Sequence, residues 1–175
     1  MRIPIQGSTT YRGRHSRPNW FAYAIFVGLS VAAGALGWIV SPSRSPAAAA
    51  WYAALDKPAG VPPTSWLGPI WAALYLLMGT SAWLVWHERY HKRRGAALIA
   101  YFIQLLLNAA WAPLFFGTRS VGASLFIAVA LWVAIAWTMR EFFAVRALSA
   151  WMLAPYLGWV GFAMFLNFEL WRLNP

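Results

Sequence analysis

The chain has 175 residues, of which 61% are hydrophobic, 18% aromatic and 10% charged, with fourteen Lys and Arg against four acids. Soluble domains carry about 25% charged residues, so the composition excludes one and points to an integral membrane protein with apolar spans of about 20 residues. The net charge of +10 sits in the connections between apolar runs, where membrane topology uses it, and nucleic acid is set aside as a partner.

Cysteine is absent, which removes disulfides, thiolate metal sites and Cys nucleophiles. The sequence predicts an all-α protein, a five-helix transmembrane bundle over residues 20–175, after a basic, disordered tail over 1–19. The first span is read at 20–40. Its small residues Ala24, Gly28 and Ala32 fall on one helix face, and they are expected to pack inside the bundle, with a dimer interface, here or at Ala96 and Ala100 of the third span, as the alternative. Residues 41–66 form the longest connection. Ser45-Pro46 suits the start of a short helix, and the Pro58 to Pro63 segment must be extended or turned.

The second span is read at 67–86, with Trp71, Tyr75 and Met78 on one face. A charged loop, HERYHKRR, leads to the third span at 95–116, where Tyr101, Gln104, Asn108 and Trp111 again share a face. The fourth span is read at 121–139, ended by Arg140. The fifth, at 150–171, carries Pro155, Tyr156, Trp159, Ala163 and Asn167 along one stripe. Ten of the fourteen basic residues fall on the side of the tail and the charged loop, which predicts a cytoplasmic N-terminus and places residues 41–66 on the far side.

Gln104 and Asn108 are amides in mid-membrane, where an unpartnered amide costs about 2–7 kcal/mol. They must face other helices or a filled cavity, and Trp111 and Tyr101 beside Asn108 favour ligand contact there. Trp20, Trp38, Trp66, Trp86 and Trp171 lie near span ends and read as interfacial anchors. Trp71, Trp111, Trp132 and Trp159 lie deeper. A flat apolar ligand would stack on such rings, and Trp71 and Trp159 are the strongest candidates. No metal site is visible, because His15, His87 and His91 all lie in the tail or the charged loop. Asp56 is expected to pair with Lys57, and Glu169 with Arg172. No Ser-His-acid set is expected to converge.

The strings WYAALDKP, PP…PIWAALYLLMG, QLLLNAAWAPLFFG, PYLGW and LNFELWRLN resemble the tryptophan-rich sensory protein family, whose animal members are called translocator protein or peripheral-type benzodiazepine receptor. The match runs from Trp20 to Asn174. The resemblance implies a five-helix bundle, commonly a homodimer, in a membrane that for this chain is expected to be a bacterial cell membrane. It implies a pocket that takes porphyrins (protoporphyrin IX or haem), with sterols and benzodiazepine-type ligands in some members, and no required cofactor. By motif, Trp71, Tyr75, Asn108, Tyr156 and Trp159 would line it, with Trp111 beside them, and Trp51, Pro62 and Pro63 would shape its lid. Some relatives degrade protoporphyrin in light and oxygen. Were that so here, Trp71 and Trp159 would be the catalytic candidates. A structural protein with a vestigial pocket is the remaining alternative. The lid departs from the family pattern. Gly60 stands where Trp is usual, Thr64 where Arg is usual, and Trp66 follows one position late. The family's sterol pattern is incomplete too, with Phe168 between Leu166 and Arg172 where Tyr is needed.

Overall fold

The computed structural model describes residues 19–174. The tail therefore lies outside the described residues, except for Asn19. Seven α-helices follow: α1 Trp20–Val40, α2 Pro46–Ala54, α3 Thr64–His87, α4 Arg94–Ala112, α5 Val121–Val145, α6 Ala147–Met152 and α7 Ala154–Leu173. A π-helical turn, Pro113–Gly117, extends α4, and α6 with α7 makes one interrupted span. Five of these stretches are long and apolar enough to cross a membrane.

Local chemistry sets the ends. Asn19 caps α1 by accepting from the Ala22 N–H at 3.1 Å, and Ser45 caps α2 by accepting from Ala48 at 3.2 Å, with Pro46 at the first helical position. The second span starts at Thr64 rather than Leu67, because Pro63 is extended and its carbonyl already accepts from Trp66. Pro113 has no N–H to continue the α-ladder, and Thr118 instead donates to the Pro113 carbonyl, giving the wider turn. The fourth span continues past Arg140 to Val145. That extra turn keeps Phe142 fully buried and Glu141 nearly so, with Arg140 3.5 Å and Arg93 4.0 Å from the Glu141 carboxylate. Arg146 then donates to Glu88 at 3.1 Å, tying the α3–α4 loop to the α5–α6 junction.

The helices pack tightly at this basic-loop end. Gly79 of α3 lies so close to Val27 of α1 that any Cβ would meet its backbone. Trp20 stacks on Trp83, whose indole donates to the Asn19 carbonyl at 3.2 Å. Phe26, Met78, Val85, Tyr101, Ile135 and Phe142 fill the space between the helices. Farther along, α1 leans toward α4, and Gly37 rests against Ala112.

The small row on α1 corrects the sequence reading. Ala24, Gly28 and Ala32 are exposed, and nothing lies within reach of a Cβ at Gly28. The face turned inward is Ala22, Phe26, Ser30 and Ala33. Asp56 and Lys57 also depart from expectation. The Lys57 ammonium donates to the carbonyls of Ala53 (3.2 Å) and Leu55 (3.0 Å), while the Asp56 backbone is held by Asn174. The pairing of Arg172 with Glu169 is present at 2.6 Å.

Candidate functional site

At the opposite end, which carries residues 41–63, the five spans enclose a cavity of about 740 Å3. That volume is in the range of small-molecule sites. Helix α3 contributes a continuous face in helical register, running from Thr64 through Gly68 and Trp71 to Tyr75. Trp71 and Tyr75 stack with ring centroids 5.4 Å apart and planes 24° apart. Opposite them, Trp111 stacks on Phe115 at 5.1 Å and 15°. Trp159 and Ala163 of α7 close the third side. The Tyr75 ring fits only because Gly34 of α1 has no side chain, since a Cβ there would collide with it.

The polar groups in the wall are held by one another. The Tyr75 hydroxyl donates to Asn108 Oδ1 at 3.1 Å, and Asn108 Nδ2 donates to the Tyr156 hydroxyl at 2.9 Å. One amide thus joins α3, α4 and α7. A second amide, Asn167, accepts from Trp111 Nε1 (3.2 Å) and from Ser124 Oγ (3.1 Å), and donates to the Val121 carbonyl (2.9 Å), joining α4, α5 and α7. Fixing both amides and both phenols in this way leaves mainly ring faces toward the cavity, with one exception: Trp159 Nε1 is buried without a partner. Not one lining side chain is charged.

Trp71, Tyr75, Asn108, Trp111, Trp159 and Pro62 all line the cavity. Tyr156 stands one layer behind, fully buried, with the Trp71 ring edge-on to it at 6.4 Å. Trp51 packs against Phe115 at 5.5 Å outside the wall, and Pro63 precedes the first turn of α3 without lining it. Gln104 and Tyr101 belong to the packed end. Gln104 Nε2 approaches Met78 Sδ at 3.6 Å, and the Tyr101 and Ser30 hydroxyls lie 2.8 Å apart. Trp132 sits on the outer surface against Gly161. Three contributors were missed in the sequence: Ser124, Tyr52 and Phe115. Tyr52 and Phe115 could be read only once the π-turn and α2 were placed over the cavity.

The lid is fastened at its far end. The Asn174 side chain accepts from the Asp56 N–H at 3.0 Å and donates to the Asp56 carbonyl at 3.0 Å, clasping the lid backbone to the end of α7. Gly60 has φ +89° with open space around it, a backbone state that Trp would adopt only with strain. The departure at this position is therefore built into the lid's turn. One side of the cavity is not closed. Val31 and Ala35 on the outward flank of α1, and Ala72 and Leu76 on that of α3, are exposed and also line the cavity, so it is open along the outer flank of these two helices.

The TspO/MBR family model matches residues 26–172. The chain belongs to the TspO/MBR family. Among its relatives, Protein CrtK of Rhodobacter capsulatus is 37% identical over 155 residues, 87% of this chain and 92% of that one. Tryptophan-rich protein TspO of Chlorobaculum tepidum is 37% identical over 154 residues, 87% and 95%. The human Translocator protein is 41% identical over 126 residues, 71% and 75%. Family membership and five apolar spans make this a multi-pass integral membrane protein of a sensor and receptor family, and the two relatives that cover most of it are bacterial, in keeping with a bacterial membrane. Among the described residues no group of three His, Cys, Asp or Glu could hold a metal ion.

Proposed function

We propose that this protein is a membrane receptor, sensor or transporter that binds a flat, mainly apolar ligand of tetrapyrrole size between its helices. The supporting observation is the 740 Å3 cavity with stacked aromatic pairs on facing walls. Rings presented this way favour a large π-surface, and with both amides already bonded the wall asks for few hydrogen bonds, the unpartnered Trp159 Nε1 being one it can still make. Titration with protoporphyrin IX, read by quenching of Trp fluorescence, tests the reading. Saturable quenching that weakens when Trp71 becomes Ala is expected. No quenching by protoporphyrin, a sterol or a benzodiazepine-type ligand would leave a structural protein with a vestigial pocket.

A second reading rests on Trp71 and Trp159 facing one cavity. An oxidisable indole on each side of a bound porphyrin suits its light- and oxygen-dependent degradation. Illumination in air separates the two readings, since an unchanged porphyrin spectrum rules out turnover. We also infer a homodimer through the exposed Ala24, Gly28 and Ala32 row, which lets two α1 helices approach closely. Gly28→Leu is expected to yield monomer on size-exclusion chromatography. The charge asymmetry supports a cytoplasmic N-terminus, testable by protease access to a tag in sealed vesicles.

A further inference from the structure

The uncharged wall poses a problem for any ligand that combines a large ring system with acidic side groups. A carboxylate drawn into an apolar cavity without a cation is strongly disfavoured. Such a ligand, the class proposed above, must therefore keep its acids at an edge of the cavity where a cation waits.

Two cations occupy such an edge. The Arg44 guanidinium lies 4.4 Å from the centre of the Trp38 ring, and the Lys57 ammonium lies 4.9 Å from that of Tyr52. Trp38 and Tyr52 both line the cavity at its lid end. Each cation, though not itself in the lining, is thus held by cation–π attraction against a ring that is. Burial raises the Tyr52 phenol above its usual value of 10, so this ring stays neutral and does not cancel the Lys57 charge. Neither cation is neutralised. Neither Arg44 nor Lys57 forms an ion pair among the described residues, and Lys57 uses two of its three donors on carbonyls, while only the backbone of Asp56 is held, by Asn174. The other two cations at this end differ. Arg172 is spent on Glu169 at 2.6 Å, and Arg119 forms no cation–ring contact.

We propose that Arg44 and Lys57 form an anion-accepting rim that orients an amphiphilic ligand, with its ring system in the neutral cavity and its carboxylates at the lid. It rests on the ligand class proposed above, and it adds an orientation of the bound ligand and a preference for the acid over the neutral form. Lysine and arginine near a membrane surface also serve as plain anchors, and an anchor would not distinguish the two ligand forms.

The experiment compares protoporphyrin IX with its dimethyl ester, by Trp quenching in nanodiscs of zwitterionic lipid. Wild type is expected to bind the diacid more tightly than the ester. Arg44→Gln and Lys57→Gln are each expected to weaken the diacid by about fivefold, in line with exposed ion pairs. The ester should stay within about twofold in both, and Arg119→Gln should leave both ligands unchanged. Arg44→Lys with Lys57→Arg should restore the preference, which separates charge from packing. Equal loss for diacid and ester, or no loss in the double Gln variant, overturns the rim. If neither form quenches wild type, the ligand class itself is wrong and the rim falls with it. If the ester alone binds, the pocket stands and only the rim is wrong.

Discussion

The two ends of the bundle are built from the same five spans and differ in what lies between them. At the basic-loop end, α1 and α3 meet at Gly79 and Val27, and large side chains such as Tyr101 and Phe142 fill the space with no exposure. At the lid end, glycine does the opposite job: Gly34 gives room for the Tyr75 ring, and the helices spread around a hollow. Close packing needs a small residue at a backbone crossing. A binding cavity needs one beside a large ring. The pair shows one end acting as a rigid plug that lets the other remain open, since the cavity itself contributes little cohesion.

Breaking the plug should have the largest effect. Gly79→Leu drives a side chain into the Val27 backbone and is expected to destabilise by about 3 kcal/mol or more, or to prevent folding. Gly68→Ala, at a lining position with open space inside α3, should hold or slightly raise the melting temperature, since Ala favours the helix by up to about 1 kcal/mol. Scanning both in detergent checks the contrast, and equal losses would break it.

The amides come next. Asn167→Leu leaves Trp111 Nε1 without a partner and removes one of the donors to the Val121 carbonyl, which keeps Ser124 Oγ at 2.8 Å, and should cost about 2 kcal/mol. Asn108→Leu should lower both melting temperature, by about 1–2 kcal/mol in stability, and porphyrin affinity, because this amide lines the cavity while positioning Tyr75 and Tyr156. A melting drop with normal affinity would show that Asn108 is purely structural.

Smaller effects belong to the lid. Asn174→Ala removes the clasp on Asp56. With about 1 kcal/mol at stake per hydrogen bond, ligand dissociation should speed several-fold, seen by stopped-flow recovery of Trp fluorescence, with little change in melting. Gly60→Ala is the mildest. Its positive φ costs about 1 kcal/mol with Ala, and no neighbour is displaced, so affinity should hold.

Much of this was legible from residue spacing. The i, i+4 step from Trp71 to Tyr75 and the i, i+3 step from Asn108 to Trp111 put each pair on one helix face, and the structure turns both faces to the cavity. Which way a face turns is harder to read. Lipid and protein interior are equally apolar, so nothing in Ala24, Gly28 and Ala32 says whether the row points in or out. Tyr156 has the same problem at finer scale, since a small rotation of α7 separates the wall from the layer behind it. The Asn174 clasp spans 118 residues and follows no period. The capture of Lys57 by the carbonyls of Ala53 and Leu55, rather than by Asp56, depends on how α2 ends.

For the ligand proposed above, the open flank of the cavity beside α1 and α3 would decide which concentration counts. An apolar compound dissolved among the acyl chains would reach the stacked rings sideways, without re-entering water. Occupancy then follows its mole fraction in the lipid. At fixed total ligand, doubling the amount of bilayer should halve the occupied fraction in the dilute regime, and titrations at different lipid contents should superimpose when plotted per lipid rather than per litre.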